Sequence, residues 1–430
     1  MESIVRGLLG IVFLVAVGWL LSQNRRSINW RLVATGITLQ LIFGVLVLQV
    51  PFVRSGFNVV SSFIVAILDF TYQGSLFVFG NVVDKAKMDT FGFIFAFRVL
   101  PTIIFFSALT SVLFYFGILQ KIVYSFAWIM TKTMRLSGAE SLSAAANVFM
   151  GQTEAPLLVK PYIEKMTNSE LLCLMIGGMA TIAGGVMAAY VGFLGGNDPV
   201  QQQLFATHLL TASIMNAPAA IVASKLLLPE TQTVDSNLQL SAEKIGSNAL
   251  EALTIGTSEG LRLAVNVAAM LISFIALIAM INYFLGDLFG HYTGLNDWIT
   301  SSTDGRFEKF SLQYLLGQIC RPVAFFIGVD WKDSLIVGSL LGEKTAINEF
   351  VAYISLSKLP PEAISLKSKL MATYMLCGFA NLSSIAIQIG GIGSLAPSRR
   401  TDLSRFGFRA LLGGVLACLL TGSVAGMFVG

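Results

Sequence analysis

The chain has 430 residues, 55% of them hydrophobic and 12% charged, with a formal net charge of +4. A soluble core of this length cannot hide that much apolar surface, so lipid must be the solvent. The small net charge, without a polybasic tail or an aromatic-interleaved basic patch, excludes a nucleic-acid partner.

Apolar runs long enough to cross about 30 Å of hydrocarbon begin at Gly7, Val33, Thr90, Ser169, Leu204, Leu263, Lys369 and Phe406. Residues 1–22 carry the run GLLGIVFLVAVGWLLS straight into Gln23, Asn24, Arg25 and Arg26 with no small-residue cleavage site, so they read as a retained first span. Arg25, Arg26 and Arg31 follow that span and only Arg6 precedes it, which puts the N-terminus outside. A second span over 33–51 exits. Segment 57–83 is apolar, but a crossing there would put the next basic cluster on the wrong side, so it is expected to be an outer interfacial helix. The span over 90–119 re-enters, because Lys121, Lys132 and Arg135 follow it. Arg98 within it is expected to snorkel.

Segment 139–160 is too short and polar to cross, and is expected to dip in from the cytoplasmic side and return. Spans over 169–196 and 205–228 go out and back. Lys225 reads as a membrane anchor at a cytoplasmic end, and His208 and His291 look incidental. The mixed-charge connector 229–262 stays inside and a span over 263–288 exits. A second short segment, 332–358, dips in from the outer side. Arg399, Arg400, Arg405 and Arg409 hold the last loop inside and leave the C-terminus outside. The expected fold is an all-α polytopic membrane protein, with about eight transmembrane helices and two oppositely oriented re-entrant hairpins. Cys173, Cys320, Cys377 and Cys418 lie in apolar segments without paired spacing, so neither a disulfide framework nor a zinc site is indicated and no cofactor is expected.

The two short segments look alike. The first contains Asn147, Met150, Gln152, Thr153 and Glu154; the second contains Lys344, Asn348 and Glu349. Each precedes a span interrupted by small and hydroxyl residues, GGMATIAGGVMAAY or CGFANLSSIAIQIGG. Related halves that enter from opposite sides form an inverted repeat, whose broken helices bring polar groups to the bilayer midplane. A carboxylate in such a hairpin is costly unless it binds something, which makes Glu154 and Glu349 functional candidates. Either can accept two hydrogen bonds from a diol such as ribose, and Gln152, Asn348 and Asn381 supply amide donors and acceptors. Asn147, Thr153 and Thr181 offer uncharged oxygens suited to a monovalent cation. Local roles compete with this one, because an intramembrane threonine commonly bonds its own helix and an asparagine commonly caps one.

At these same residues the chain resembles the concentrative nucleoside transporter family, through GQTEAPL at 151–157, GEKTAINEFVAY at 342–353 and CGFANLSSIAIQIGG at 377–391. The similarity extends over essentially the whole chain. It implies a homotrimer in a bacterial cell inner membrane, each protomer divided into a scaffold and a transport domain that moves as an elevator. Residues 1–135 would be scaffold helices with the outer interfacial helix, and 136–228 the first transport repeat with hairpin 139–160. Residues 229–331 would hold the cytoplasmic connector, a scaffold span and an outer interfacial segment, and 332–430 the second repeat with hairpin 332–358. The resemblance implies nucleoside contacts from Gln152, Thr153, Glu154, Val186, Glu349, Phe379, Asn381 and Ser384, for substrates of the uridine, cytidine and adenosine class. It implies a sodium site at Asn147, Met150, Thr153, Thr181 and Ile182, with Met150 where valine is common and Thr181 where serine is common. The expected activity is symport of sodium and nucleoside rather than enzymatic turnover. Proton coupling is the alternative, and the QTEAP sequence leans towards sodium.

Rival classes find less support. A lipid-phosphate hydrolase built on re-entrant hairpins needs an arginine to hold phosphate, and only Lys344 lies close. An intramembrane protease lacks suitably placed histidines, a nucleotide-driven pump lacks its GxxxxGKS/T loop, and a passive channel is separated by saturable, gradient-dependent accumulation.

Overall fold

The computed structural model describes residues 2–429 except 85–86, 92–93, 197 and 236–245. Among these residues every regular element is helical. Backbone groups in hydrocarbon must bond within their own segment, and helices meet that requirement locally.

Eight helices are long and apolar enough to cross a membrane: Glu2–Leu20, Trp30–Gln49, Pro51–Val82, Phe95–Tyr115, Asn168–Gly195, Pro199–Leu227, Ala249–Thr293 and Pro397–Phe428. Three differences from the sequence reading stand out. The segment expected at 57–83 begins earlier, as the 29-residue helix Pro51–Phe79. The expected span 90–119 is divided: Leu100–Tyr115 ends at Phe116, Gly117 turns in the left-handed region at φ 72°, and a separate helix runs Ile118–Met134. Gly117 permits that turn because it has no Cβ to clash. The span expected at 263–288 starts at Ala249, whose helix is capped by Asn248. Ten residues of the expected connector, 236–245, lie outside the described residues.

The repeat appears as two matching runs of elements. The first hairpin has arms Gly138–Asn147 and Ala155–Leu158, followed by a broken helix, Asn168–Ala180 and Gly184–Gly195, and then the long helix Pro199–Leu227. The second hairpin has arms Trp331–Ala346 and Glu349–Lys358, followed by Leu366–Leu376, Leu382–Leu395 and the long helix Arg400–Phe428. Capping boxes at Ser137/Glu140 and Thr167/Glu170 start the first repeat's helices, each satisfying two orphan N–H groups. In the second repeat Asn348 and Asn381 cap the helices that follow each interruption, accepting from Val351 N at 3.0 Å and Ser384 N at 2.9 Å.

Pro199–Leu227 is the buried axis of the molecule, packed against Asn168–Ala180, Gly184–Gly195, Trp30–Gln49 and Arg400–Phe428. Ala249–Asn282 lies at the periphery, exposing Leu261, Val265 and Ile272, and touches the rest of the fold mainly through Leu100–Tyr115. Small residues make that contact close: a Cβ on Gly260 would lie 2.8 Å from Ile104 Cα.

Lys225 does not behave as a membrane anchor. Its ammonium is buried, paired with Glu140, and donates to Ser169 Oγ at 2.8 Å, with Glu230 at 3.8 Å. The pair ties the start of the first hairpin to the end of the central helix, so the cation is neutralised inside the protein instead of reaching headgroups. His208 is likewise buried and hydrogen-bonded to the Tyr374 hydroxyl at 2.9 Å. Arg98 donates to the Asp84 carbonyl at 3.1 Å.

Candidate functional site

The breaks of the two interrupted helices meet. Phe379 N donates to Thr181 O at 3.3 Å, and a Cβ on Gly378 would lie 2.6 Å from Ala180 O, so only glycine permits the approach. A helix that stops inside a protein leaves carbonyls without partners. Here Asn216 of the central helix donates its amide to both Ala180 O, at 2.7 Å, and Cys377 O, at 2.6 Å. The Cys418 thiol faces the same two carbonyls at 3.5 and 3.4 Å.

The first hairpin's tip rests on this crossing because Gly177 and Gly178 have no side chains. A Cβ on Gly178 would lie 3.0 Å from Gln152 Cβ, and one on Gly177 would lie 3.0 Å from Asn147 Nδ2. Seated there, Gln152 Nε2 donates to Ser384 Oγ at 3.2 Å, while Gln388 Nε2 donates to Gln152 Oε1 at 3.2 Å and to Met175 O at 2.9 Å. Asn381 then links Ser384 to Glu349: its Oδ1 caps Ser384 N, and its Nδ2 donates to Glu349 Oε2 at 2.8 Å. The other Glu349 oxygen accepts from the Tyr190 hydroxyl at 3.0 Å. Tyr190 is itself fixed by stacking on Tyr353, centroids 4.3 Å apart, and edge-on against Phe350 at 5.0 Å. Glu349 is 3% exposed, so its charge is held by directed donors and not by water.

A continuous chain thus joins four of the expected site residues, Gln152, Ser384, Asn381 and Glu349. Three more, Met150, Glu154 and Val186, line a cavity of about 310 Å³. Its opposite wall is formed by Phe106 and Ser107 of Leu100–Tyr115 and by Glu259 and Leu263 of Ala249–Asn282. This volume falls in the range of small-molecule sites. Glu154 folds back on its own loop, accepting from Gly151 N at 3.2 Å. Thr153 is exposed beside Gly391, and Phe379 is half-buried at the crossing.

Of the expected cation ligands, Asn147, Thr181 and Ile182 lie at or beside the first break, whereas Thr153 is exposed beside Gly391. Asn147 is buried, its Nδ2 donates to Ser143 O at 2.9 Å, and its Oδ1 has no partner among the described residues. A buried oxygen left without a donor is the feature a cation satisfies. The Thr181 hydroxyl donates to Gly177 O at 2.8 Å, which leaves its lone pairs free to accept, and Ile182 is fully buried at the break.

Tyr190, Gln388 and Asn216 were missed by the sequence reading. Two of them were within reach, because Tyr190 lies four residues after Val186 and Gln388 four after Ser384, one turn along the same helix face. Asn216, beside Pro218 in an otherwise apolar helix, had only its intramembrane polarity as a signal.

Comparison with known proteins gives matches along nearly the whole chain. Residues 9–82 match the family described as Na+ dependent nucleoside transporter N-terminus, 96–197 that described as nucleoside recognition gate, and 208–426 that described as Na+ dependent nucleoside transporter C-terminus. A transporter of Haemophilus influenzae is 43% identical, the match covering 100% of this chain and 98% of the relative. The nucleoside permease NupC of Helicobacter pylori is 38% identical, covering 98% of this chain and 97% of the permease. The inward-facing, substrate-bound structure of CNTnw superposes with a TM-score of 0.89 at 40% identity, covering 100% of both chains.

Proposed function

The chain belongs to the concentrative nucleoside transporter family, and from that premise we propose a symporter that couples inward sodium movement to nucleoside uptake. Membership makes it a multi-pass membrane transporter and removes the hydrolase reading. The observation that carries the proposal is Glu349, a buried carboxylate held by Tyr190 and Asn381 where two broken helices cross. Each oxygen keeps a lone pair after those bonds, so the carboxylate can accept from two adjacent ribose hydroxyls. Gln152, with a donor and an acceptor at the hairpin tip, addresses the base, and Val186 and Phe379 give it an apolar face. Thr153, Glu154, Asn381 and Ser384 complete the contacts.

The proposed sodium ligands are Asn147 Oδ1, the hydroxyls of Thr153 and Thr181, and the carbonyls of Met150 and Ile182. Coupling follows from the spacing. Asn147 and Thr153 flank the turn that carries Gln152 and Glu154, so a cation that fixes the former fixes the latter. Nucleoside then binds a prearranged hairpin, and the differential affinity is the coupling free energy. One charge moved through 100 mV supplies about 2.3 kcal/mol. In the elevator reading, the hairpins and broken helices travel together, and the cavity wall formed by Leu100–Tyr115 and Ala249–Asn282 belongs to the stationary part. The same reading gives a trimer in a bacterial inner membrane with both termini outside. Calorimetric titration of purified protein with uridine and adenosine tests the coupling: affinity should rise with sodium, and an affinity indifferent to sodium contradicts it.

A further inference from the structure

Each repeat ends the first arm of its hairpin against the last turn of the helix that precedes its break. In the first repeat the residue there is Asn147, neutral, beside Gly177, with an oxygen that lacks a partner. In the second it is Lys344, in the last turn of Trp331–Ala346. Lys344 is 0% exposed and its ammonium donates to Met375 O at 2.7 Å, at the end of Leu366–Leu376. The C-terminal end of a helix carries partial negative charge from its free carbonyls and attracts a cation. No carboxylate lies within ion-pair distance of Lys344 among the described residues; the helix end it grips leads through the break to Asn381, which donates to Glu349 Oε2 at 2.8 Å. A buried ammonium in this position needs a reason, since intramembrane charge is kept where it has work.

We propose that Lys344 is a tethered cation, the covalent counterpart in the second repeat of the mobile sodium in the first. At the hairpin tip of each half a carboxylate then has a positive charge nearby in sequence: Glu154 has sodium, and Glu349 has Lys344. The inference rests on the sodium-coupled reading and adds an ion stoichiometry to it. One sodium accompanies each nucleoside because the second repeat carries its own cation. Lys344 acts through the broken helix whose end it holds, as a positioning residue.

The experiment measures uridine affinity against sodium concentration for wild type, Lys344→Ser, Lys344→Met and Lys344→Arg. Wild type should show a sodium Hill coefficient of about 1. Lys344→Ser opens room for an ion and should raise the coefficient towards about 2, whereas Lys344→Met fills the space without charge and should not. A wild-type coefficient of two, or identical sodium dependence in serine and methionine variants, overturns the inference. Should the serine variant fail to fold, Lys344→Arg and Lys344→Met decide: arginine should stay near wild-type affinity and methionine should bind at least about tenfold more weakly, with equal affinities counting against the tethered charge. Wild-type binding that ignores sodium instead removes the underlying reading, and is therefore distinguishable from failure of the Lys344 assignment.

Discussion

The Tyr190 hydroxyl donates to Glu349 Oε1 at 3.0 Å, joining the second half of one broken helix to the opposite hairpin. This bond aims the carboxylate, since Tyr190 is stacked on Tyr353 and has little freedom to follow a displaced partner. Hydrogen bonds to a charged group contribute about 1.5–3 kcal/mol each. Tyr190→Phe should therefore lower the unfolding temperature and, because the carboxylate is no longer aimed, weaken nucleoside binding by roughly tenfold or more. Glu349→Gln, which removes the charge proposed to accept the ribose hydroxyls, should weaken it further while the protein remains folded. Equilibrium binding of both variants checks the order, and wild-type affinity in a folded Glu349→Gln variant would end the diol assignment.

In the proposed ion site, Asn147 separates ion binding from nucleoside binding. Its unpartnered Oδ1 points the effect of Asn147→Ala towards sodium: the half-saturating sodium concentration should rise by about tenfold, with the preference between uridine and adenosine unaltered. Sodium titrations of uptake provide the check. An unchanged sodium requirement would remove Asn147 from the ion site.

Asn216 serves two helices with one amide. Asn216→Ala leaves the carbonyls of Ala180 and Cys377 without their principal donor, at a cost of about 1–3 kcal/mol for each unsatisfied group. Thermal unfolding should move several degrees lower, and nucleoside binding should weaken because the crossing supports Phe379 and Asn381. A variant with wild-type unfolding temperature would show that the breaks hold themselves.

The buried Lys225 and Glu140 pair gives a paired test. Lys225→Met alone leaves Glu140 charged and uncompensated, which should destabilise by about 3–5 kcal/mol. Combining it with Glu140→Leu should recover much of that loss, because two apolar residues can replace a buried ion pair. Additive destabilisation in the double variant would contradict a direct pairing.

Periodicity and loop charge made the hairpins and the broken helices legible, because a short polar segment between spans has few physical solutions in lipid. Glu349, Asn381 and Gln152 were readable for the same reason, each being polar at a depth where polarity is expensive, whereas Ser384 came only through the family resemblance. Lys225 was misread because snorkelling and internal pairing look identical along a chain, and Glu140 is far from it in sequence. Tyr190 escaped since a tyrosine at the end of an apolar run equally suits an interfacial position. The helix Ile118–Met134 was hidden because Lys121, Lys132 and Arg135 read as the loop following the span. For Lys225 and Tyr190 the local pattern is silent; each is decided by which distant element arrives opposite.

The measurement that bears most directly on sodium-coupled uptake is accumulation of labelled uridine and adenosine in proteoliposomes, under an inward sodium gradient, an inward proton gradient, or neither. The account predicts concentrative accumulation only with the sodium gradient. Accumulation driven by protons alone, or equilibration without any gradient dependence, would contradict it.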